Sequence, residues 1–259
     1  QITESPGTAN GEIVFDKVGF KYPGASDYVL KDISFKAERG ETVAFIGSTG
    51  SGKSTIVSLI MRSYDVTEGS ITIDGVDVRD YTLKALHGKI GYVPQKASLF
   101  SGTIASNVAY GDRTSENMEE DVRGAVEVAQ ATEFVEAMEG GYSATIAQGG
   151  TNISGGQKQR LSIARAVYRR PEIFIFDDSF SALDYKTDRQ LRSALKKETA
   201  DAISIIVAQR VGTILDADKI IVLDNGYIAG IGKHHDLLGT CPVYKDIVYS
   251  QLSEEELCR

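Results

Sequence analysis

Eight consecutive residues combine glycines with a lysine and a serine in a way suited to binding phosphate: Gly47-Ser48-Thr49-Gly50-Ser51-Gly52-Lys53-Ser54. The run matches the pattern G-x-x-x-x-G-K-[ST], in which backbone N–H groups converge on phosphate oxygens at a helix N-terminus. It lies between a β-branched and aromatic run at residues 42–46 and a segment of helical periodicity at residues 54–62. We expect Lys53 to bridge the β- and γ-phosphates of a nucleotide and the Ser54 hydroxyl to bind Mg²⁺. Thr55 completes the predicted binding run.

A carboxylate follows an apolar run about 120 residues further along the chain. Residues 173–176 read Ile-Phe-Ile-Phe and predict a buried strand, and Asp177 comes directly after it. At the carboxyl edge of a parallel sheet, where ligands collect, such a residue reaches the Mg²⁺ shell. An apolar run that ends in aspartate is by itself mostly structural. Together with the phosphate loop, however, it predicts that Asp177 is the magnesium-side carboxylate.

The elements that must position these residues alternate along most of the chain. Runs predicted as strands occur at residues 11–20, 34–37, 42–46, 70–73, 173–176, 204–207 and 219–223, separated by helical stretches. The alternation predicts an α/β fold with a mostly parallel sheet core, preceded by a small N-terminal antiparallel β subdomain. Residues from about 82 to 170 are richer in helix formers and predict an inserted helical subdomain. Residues 1–10 are predicted as a linker before one domain at 11–259, which suggests an excised domain or a processed longer protein.

Composition narrows the classes of function. The 259 residues are 42% hydrophobic and 25% charged, and their net charge of −8 argues against a general nucleic-acid binder. The longest apolar runs fall far short of the ~20 residues that cross a bilayer. The two cysteines, Cys241 and Cys258, lack metal-ligand spacing and fit free thiols in a reducing compartment. The Glu254–Glu256 run is predicted to be a solvated tail.

A third motif carries a resemblance to a known family. The residues Ser154-Gly155-Gly156-Gln157 closely resemble the signature of ATP-binding cassette (ABC) proteins, usually Leu-Ser-Gly-Gly-Gln. Ser154 would begin a helix, so that its hydroxyl and the amides of Gly155 and Gly156 can face an anion. The resemblance covers nearly the whole chain. It implies a P-loop (RecA-like) fold, ATP and Mg²⁺ as ligands, and a second cassette that sandwiches two nucleotides head to tail with this one.

The same resemblance assigns roles to further residues. Tyr22 falls where the family stacks an aromatic ring on adenine, although alone it could equally be a packing tyrosine. Gln95 matches the glutamine that senses magnesium and contacts the transmembrane partner. Residues 181–184 resemble the loop that crosses between two cassettes, and residues 94–104 resemble the exporter branch. The resemblance therefore implies transmembrane domains of an exporter as partners, a place at the cytoplasmic face of the cell membrane, and no nucleic acid.

Three departures from the family pattern concern catalysis and coupling. Asp178 stands where the family carries the glutamate that acts as general base, and Gln209 replaces the switch histidine. Aspartate sets the carboxylate back by roughly 1.5 Å, and glutamine cannot carry a proton charge. Residues 147–150 read Ala-Gln-Gly-Gly where exporters usually have Gly-Glu-Arg-Gly. These changes resemble the degenerate member of a heterodimeric exporter, in which slow hydrolysis lets bound ATP hold the cassettes together.

Two other classes of function compete with the exporter cassette. The first is a cassette ATPase that acts on nucleic acid or ribosomes without a membrane partner, which the acidic charge and residues 95–104 disfavour. The second is a nucleotide-gated regulatory module that binds ATP without catalysis. Co-purification with membranes discriminates the first from an exporter, and phosphate release that depends on Asp178 would exclude the second.

Overall fold

The computed structural model describes residues 2, 11–111 and 116–252. In chain order the strands and α-helices are β1 (Glu12–Phe20), β2 (Leu30–Glu38), β3 (Thr42–Gly47), α1 (Lys53–Ile60), β4 (Glu68–Ile73), β5 (Val76–Asp77), α2 (Leu83–Gly88), β6 (Ile90–Val93), β7 (Gly102–Thr103), α3 (Ile104–Val108), α4 (Met118–Val128), α5 (Thr132–Ala137), β8 (Thr145–Ile146), α6 (Gly155–Tyr168), β9 (Ile173–Asp177), α7 (Tyr185–Glu198), β10 (Ile203–Val207), β11 (Lys219–Asp224), β12 (Tyr227–Gly232), α8 (His234–Thr240) and α9 (Pro242–Gln251). The chain forms two compact units, residues 1–90 with 201–259, and residues 91–200.

The first unit contains the predicted parallel core. Strand β3 pairs in parallel with β10 on one side and with β11 on the other, and β12 continues beyond β11 as an antiparallel strand. Residues 43–46 of β3 are at most 1% exposed. Burial on both faces explains why this segment reads as a continuous apolar run rather than as alternating polar and apolar residues.

The N-terminal antiparallel sheet also belongs to the first unit. Its strand order is β2-β1-β4-β5, and β1 pairs with β2 and β4 in antiparallel register. Phe15 of β1 stacks on Phe35 of β2, with ring centroids 4.4 Å apart. The predicted α/β fold class is therefore confirmed, including a parallel core and an N-terminal antiparallel sheet.

The second unit is mainly helical and holds β9 beside β6. Its longest helices are α6 and α7, and α6 packs against α3 and α4. Residues 173–176 of β9 are buried, as predicted for the strand that leads to the acidic pair. Among the described residues, no helix is both long enough and apolar enough to cross a membrane.

Some predicted boundaries stay predictions. The linker at residues 1–10 lies outside the described residues except for Ile2, which forms a β-bridge to Tyr81. The acidic tail and Cys258 also lie outside the described residues, whereas Cys241 is buried as a free thiol. The limits of a helical subdomain at about 82–170 and of a domain at 11–259 likewise remain predictions.

Candidate nucleotide site

The phosphate loop joins β3 to α1 in the first unit, as the pattern predicts. Gly52 is the N-cap of α1 and has a φ of 108°, a value that side-chain-bearing residues rarely adopt. A Cβ at Gly47 would collide with the carbonyl oxygen of Leu223. Among the described residues, no side chain caps the start of α1. A helix N-terminus without a side-chain cap suits an anionic ligand, because the helix dipole and its amides favour negative charge there.

Lys53 places its charge against the same loop. Its Nζ donates to the carbonyl oxygens of Gly47 at 2.7 Å and Ser48 at 2.9 Å, and the residue is only 9% exposed. A third, longer contact of 3.4 Å joins Nζ to Ser51 Oγ. A nearly buried ammonium beside an uncapped helix start fits a polyphosphate by charge and by donor supply. Ser54, next in the chain, is exposed, as a residue whose hydroxyl binds a ligand must be.

Tyr22 is tied to the helix that follows the phosphate loop. Its hydroxyl lies 3.0 Å from Thr55 Oγ1, and its ring meets those of Phe20 and Tyr64 edge-on at centroid distances of 4.9 and 5.2 Å. Thr55 itself is buried. The structure thus fixes the Tyr22 ring beside the first turn of α1, and its role against adenine stays a prediction.

Two adjacent carboxylates lie at the end of β9 in the second unit, and each accepts a hydrogen bond from the segment that runs from Tyr92 of β6 to Gln95. The hydroxyl of Tyr92 donates to Asp177 Oδ2 at 3.3 Å, and Nε2 of Gln95 donates to Asp178 Oδ2 at 3.1 Å. Asp178 is 9% exposed and has a φ of 48°. Aspartate tolerates this left-handed backbone better than most side chains do. The predicted magnesium-side and base positions are therefore both hydrogen-bonded within one unit.

The Tyr92 hydroxyl is protonated at neutral pH, as a tyrosine ordinarily is, and its environment stabilises the protonated form further. Burial, and then the negative charge of Asp177, raise the pKa of Tyr92 to about 12. A phenol that stays protonated is a hydrogen-bond donor to a carboxylate rather than a second negative charge beside it.

The signature residues begin α6 in the second unit. Ser154 is the N-cap of this helix and forms a capping box with Gln157: Ser154 Oγ accepts from the Gln157 amide at 3.2 Å, and Gln157 Oε1 accepts from the Ser154 amide at 2.9 Å. Gly155 is exposed and Gly156 is partly so. An added Cβ at Gly156 would lie 3.4 Å from the Ala182 carbonyl oxygen. The signature is therefore a rigid, accessible helix start.

The loop before the signature is held by one asparagine. Asn152 Oδ1 accepts from the Ala147 amide at 3.0 Å, and its Nδ2 donates to the Thr145 carbonyl at 2.8 Å. Gly149 and Gly150 between them have φ values of 69° and 64°. The Gly-Gly pair thus follows from the backbone conformation of this turn.

Gln209 is exposed at the end of β10 in the first unit. Its carbonyl oxygen accepts from Gln251 Nε2, and Gln251 Oε1 accepts from the Val211 amide, both at 2.8 Å. We call residues 209–211 the switch loop. No sequence pattern pointed to Gln251, because it lies about 40 residues away, at the end of α9.

The predicted site residues therefore fall in both units. Tyr22, the phosphate loop and Gln209 belong to the first, while Gln95, the signature and the acidic pair belong to the second. Within the second unit the structure brings together Gln95, Asp177 and Asp178, and adds Tyr92 to them. The roles assigned to individual residues remain predictions.

The chain is similar in sequence to known ABC transporter proteins. The model of the ABC transporter family matches residues 30–181. An uncharacterized ABC transporter ATP-binding protein of Mycobacterium tuberculosis H37Rv is 51% identical over 233 residues, which are 90% of this chain and 40% of that protein. The ATP-dependent lipid A-core flippase of Escherichia coli K12 is 41% identical over 246 residues, covering 95% of this chain and 42% of the flippase.

The structural comparison agrees with the sequence matches. A bacterial Atm1-family ABC exporter solved with ATP bound superposes with a TM-score of 0.90 at 35% identity, covering 97% of this chain and 43% of the exporter chain. The chain spans about two fifths of the length of the curated relatives it matches. The fold, the motifs and these matches define a class, the P-loop ATPase domains. The chain belongs to the ABC transporter family and is an ATPase domain of that family.

Proposed function

We propose that this chain is the ATP-binding cassette of a membrane exporter, with slow hydrolysis at its own nucleotide site. In this proposal the chain binds Mg-ATP, pairs head to tail with a second cassette and drives transport by attached transmembrane domains. It lies at the cytoplasmic face of the membrane. Support for an exporter comes from relatives named as a lipid A-core flippase, a putative multidrug export protein of Bacillus subtilis and an Atm1-family exporter.

Nucleotide binding is assigned to both units. In the first unit these residues are Tyr22 and the run from Gly47 to Thr55; in the second they are the signature residues, which would act on the nucleotide held by the second cassette. Ser54, Gln95 and Asp177 would hold Mg²⁺, whose bound charge would neutralise the developing negative charge on the phosphates. The donor set fits this ion, because hydroxyl, amide and carboxylate oxygens are the ligands that Mg²⁺ prefers.

The proposal of slow hydrolysis is supported by the length, burial and hydrogen bonding of the Asp178 side chain. Asp178 is the shorter acid at the base position and is 9% exposed as a residue, and its carboxylate accepts a hydrogen bond from Gln95 at 3.1 Å. A general base must come within about 3 Å of the proton it takes, directly or through one water. A short side chain held by Gln95 meets this requirement less well than glutamate does. The intact signature would complete the competent site of the second cassette.

The binding part of the proposal is tested with fluorescent mant-ATP. We expect the wild-type chain to bind mant-ATP, and Lys53→Ala to weaken binding by at least tenfold, because the variant removes the cation beside the phosphates. Lys84→Ala is a matched control, since Lys84 is an exposed lysine of the same unit. Equal affinities of all three proteins would contradict the assignment of the phosphate loop.

The pairing part is tested by sedimentation in the presence of Mg-ATP. The chain is mixed with a cassette that has glutamate and histidine at the two altered positions, such as the corresponding domain of a relative. We expect an ATP-dependent heavier species that Ser154→Ala in this chain weakens. A mixture that stays monomeric with and without ATP would contradict head-to-tail pairing.

A further inference from the structure

The end of β9 is joined to the segment from Tyr92 to Gln95 by several side-chain hydrogen bonds. Besides the bonds from Tyr92 to Asp177 and from Gln95 to Asp178, the buried hydroxyl of Ser179 donates to the Val93 carbonyl at 2.7 Å. A short segment of chain therefore holds both carboxylates of the acidic pair. All of these contacts lie within the second unit.

The segment is itself anchored on its far side. Gln159 of α6 is buried, and its Nε2 donates to the Pro94 carbonyl at 3.0 Å. The segment that presents Tyr92 is thus fixed between β9 and α6. A side chain presented by a fixed backbone can orient a partner instead of following its motion.

The hydroxyl of Tyr92 is the feature that no motif explains. A phenylalanine would fill nearly the same volume, so packing alone does not require the oxygen atom. The oxygen lies 3.3 Å from Asp177 Oδ2. Hydrogen bonds of this kind are usually about 2.7–2.8 Å long, so this longer bond adds little stability. A weak bond that adds little stability can still select one orientation of a carboxylate.

We propose that Tyr92 is a positioning residue that orients Asp177 for the binding of Mg²⁺ with the nucleotide. Outer hydrogen bonds of this kind fix metal-binding carboxylates, and their loss typically lowers metal affinity by about tenfold or more. The inference rests on the proposed function, because Asp177 acts on magnesium only if the chain binds Mg-ATP. It adds a residue whose hydroxyl sets the magnesium affinity of the site.

The test measures metal affinity instead of activity. The full chain is saturated with mant-ATP in EDTA, and Mg²⁺ is then titrated; Mn²⁺ binding to the same complex is followed by electron paramagnetic resonance. Tyr92→Phe is expected to raise the half-saturating metal concentration about tenfold, with the metal-free affinity for mant-ATP unchanged. Tyr142→Phe, a partly exposed tyrosine of the same unit, is expected to match the wild type.

A double-mutant cycle separates positioning from packing. In an Asp177→Asn background, which lacks the carboxylate, Tyr92→Phe should have little further effect on metal affinity. The reason is that the Tyr92 hydroxyl is proposed to act only through that carboxylate, so the two changes are not additive. Equal metal affinity of wild type and Tyr92→Phe, or additive effects of the two changes, would overturn the inference. If the chain binds mant-ATP without metal but gives equal metal affinities or additive effects, only the positioning role of Tyr92 is refuted. A chain that binds no mant-ATP refutes the proposed function as well.

Discussion

Placing glutamate at 178 and histidine at 209, the residues of the family pattern at these two positions, should raise the rate of ATP hydrolysis. The perturbation is the double variant Asp178→Glu, Gln209→His. Glutamate is longer than aspartate by one methylene, which advances the carboxylate by roughly 1.5 Å. A well-placed general base contributes on the order of 10²–10⁴ in rate. The expected gain in the rate of hydrolysis cannot exceed the upper end of that range.

The structure points to the lower end of that range. Asp178 has a φ of 48°, and this left-handed conformation costs a longer side chain about 1–2 kcal/mol. Glutamate must also re-form or replace the bond that Gln95 donates at 3.1 Å. We therefore expect a gain of about 10²-fold together with a loss of about 1 kcal/mol in the free energy of unfolding.

The assay is steady-state phosphate release with Mg-ATP, in the presence of the second cassette, with mant-ATP affinity checked for every protein. Asp201→Glu and Gln190→His make the same chemical changes at exposed positions and should leave turnover unchanged. The reasoning is refuted if the wild type and the double variant bind ATP and hydrolyse it equally fast. Asp178 or another group would then be an adequate base.

Three further predictions concern stability. Asp74 and Lys89 form an ion pair of 2.8 Å, with side chains 1% and 3% exposed. Asp74→Ala should cost about 3–5 kcal/mol in urea unfolding, because it removes the carboxylate paired with a buried ammonium, and Asp74→Asn with Lys89→Met should cost less. Gln251→Ala removes two bonds to the switch loop and should cost about 1–2 kcal/mol, whereas an unchanged melting temperature would contradict this. Burial, and then a neighbouring histidine, lower the pKa of His234 in the folded chain. Below about pH 6.5 the unfolded chain therefore takes up a proton at this residue more readily than the folded chain does. The free energy of unfolding should therefore fall as the pH is lowered from 7 to 5, and less so in His234→Gln.

The sequence alone predicted the parts of the molecule whose physics is local. The phosphate loop follows from glycines that allow a strained turn and from the helix directly after it. The capped start of α6 at Ser154 follows from residues only three positions apart. The buried strands β3 and β9 follow from continuous apolar runs. Each of these features is determined within about ten residues of chain.

Features that depend on distant residues were not predicted. The bond between Tyr92 and Asp177 requires β6 and β9 to be neighbours, and they are separated by 85 positions. His234 is partly buried, with Nδ1 2.8 Å from the hydroxyl of the buried Tyr244, ten positions further along the chain. No periodicity in the sequence reports such pairs, since each depends on how the elements pack.

The structure also distinguishes positions 178 and 209, to which the proposed function assigns catalytic roles. Asp178 is nearly buried and hydrogen-bonded, so that replacing it changes a defined carboxylate. Gln209 is exposed, and among the described residues only its backbone carbonyl is held, by Gln251. A histidine at 209 would lie on a loop whose backbone is held by Gln251, with its own side chain exposed. It would contribute to catalysis only once a nucleotide and a base are in place.

This difference predicts unequal and non-additive effects. Asp178→Glu alone should give most of the gain in phosphate release, Gln209→His alone should give little, and the double variant should exceed the product of the two. The physical reason is that a switch residue stabilises the charge produced by an attack that the base must first initiate. If Gln209→His alone gave the larger gain, the missing component would be stabilisation of the phosphate charge, and the position of the Asp178 carboxylate would not account for the proposed slow hydrolysis.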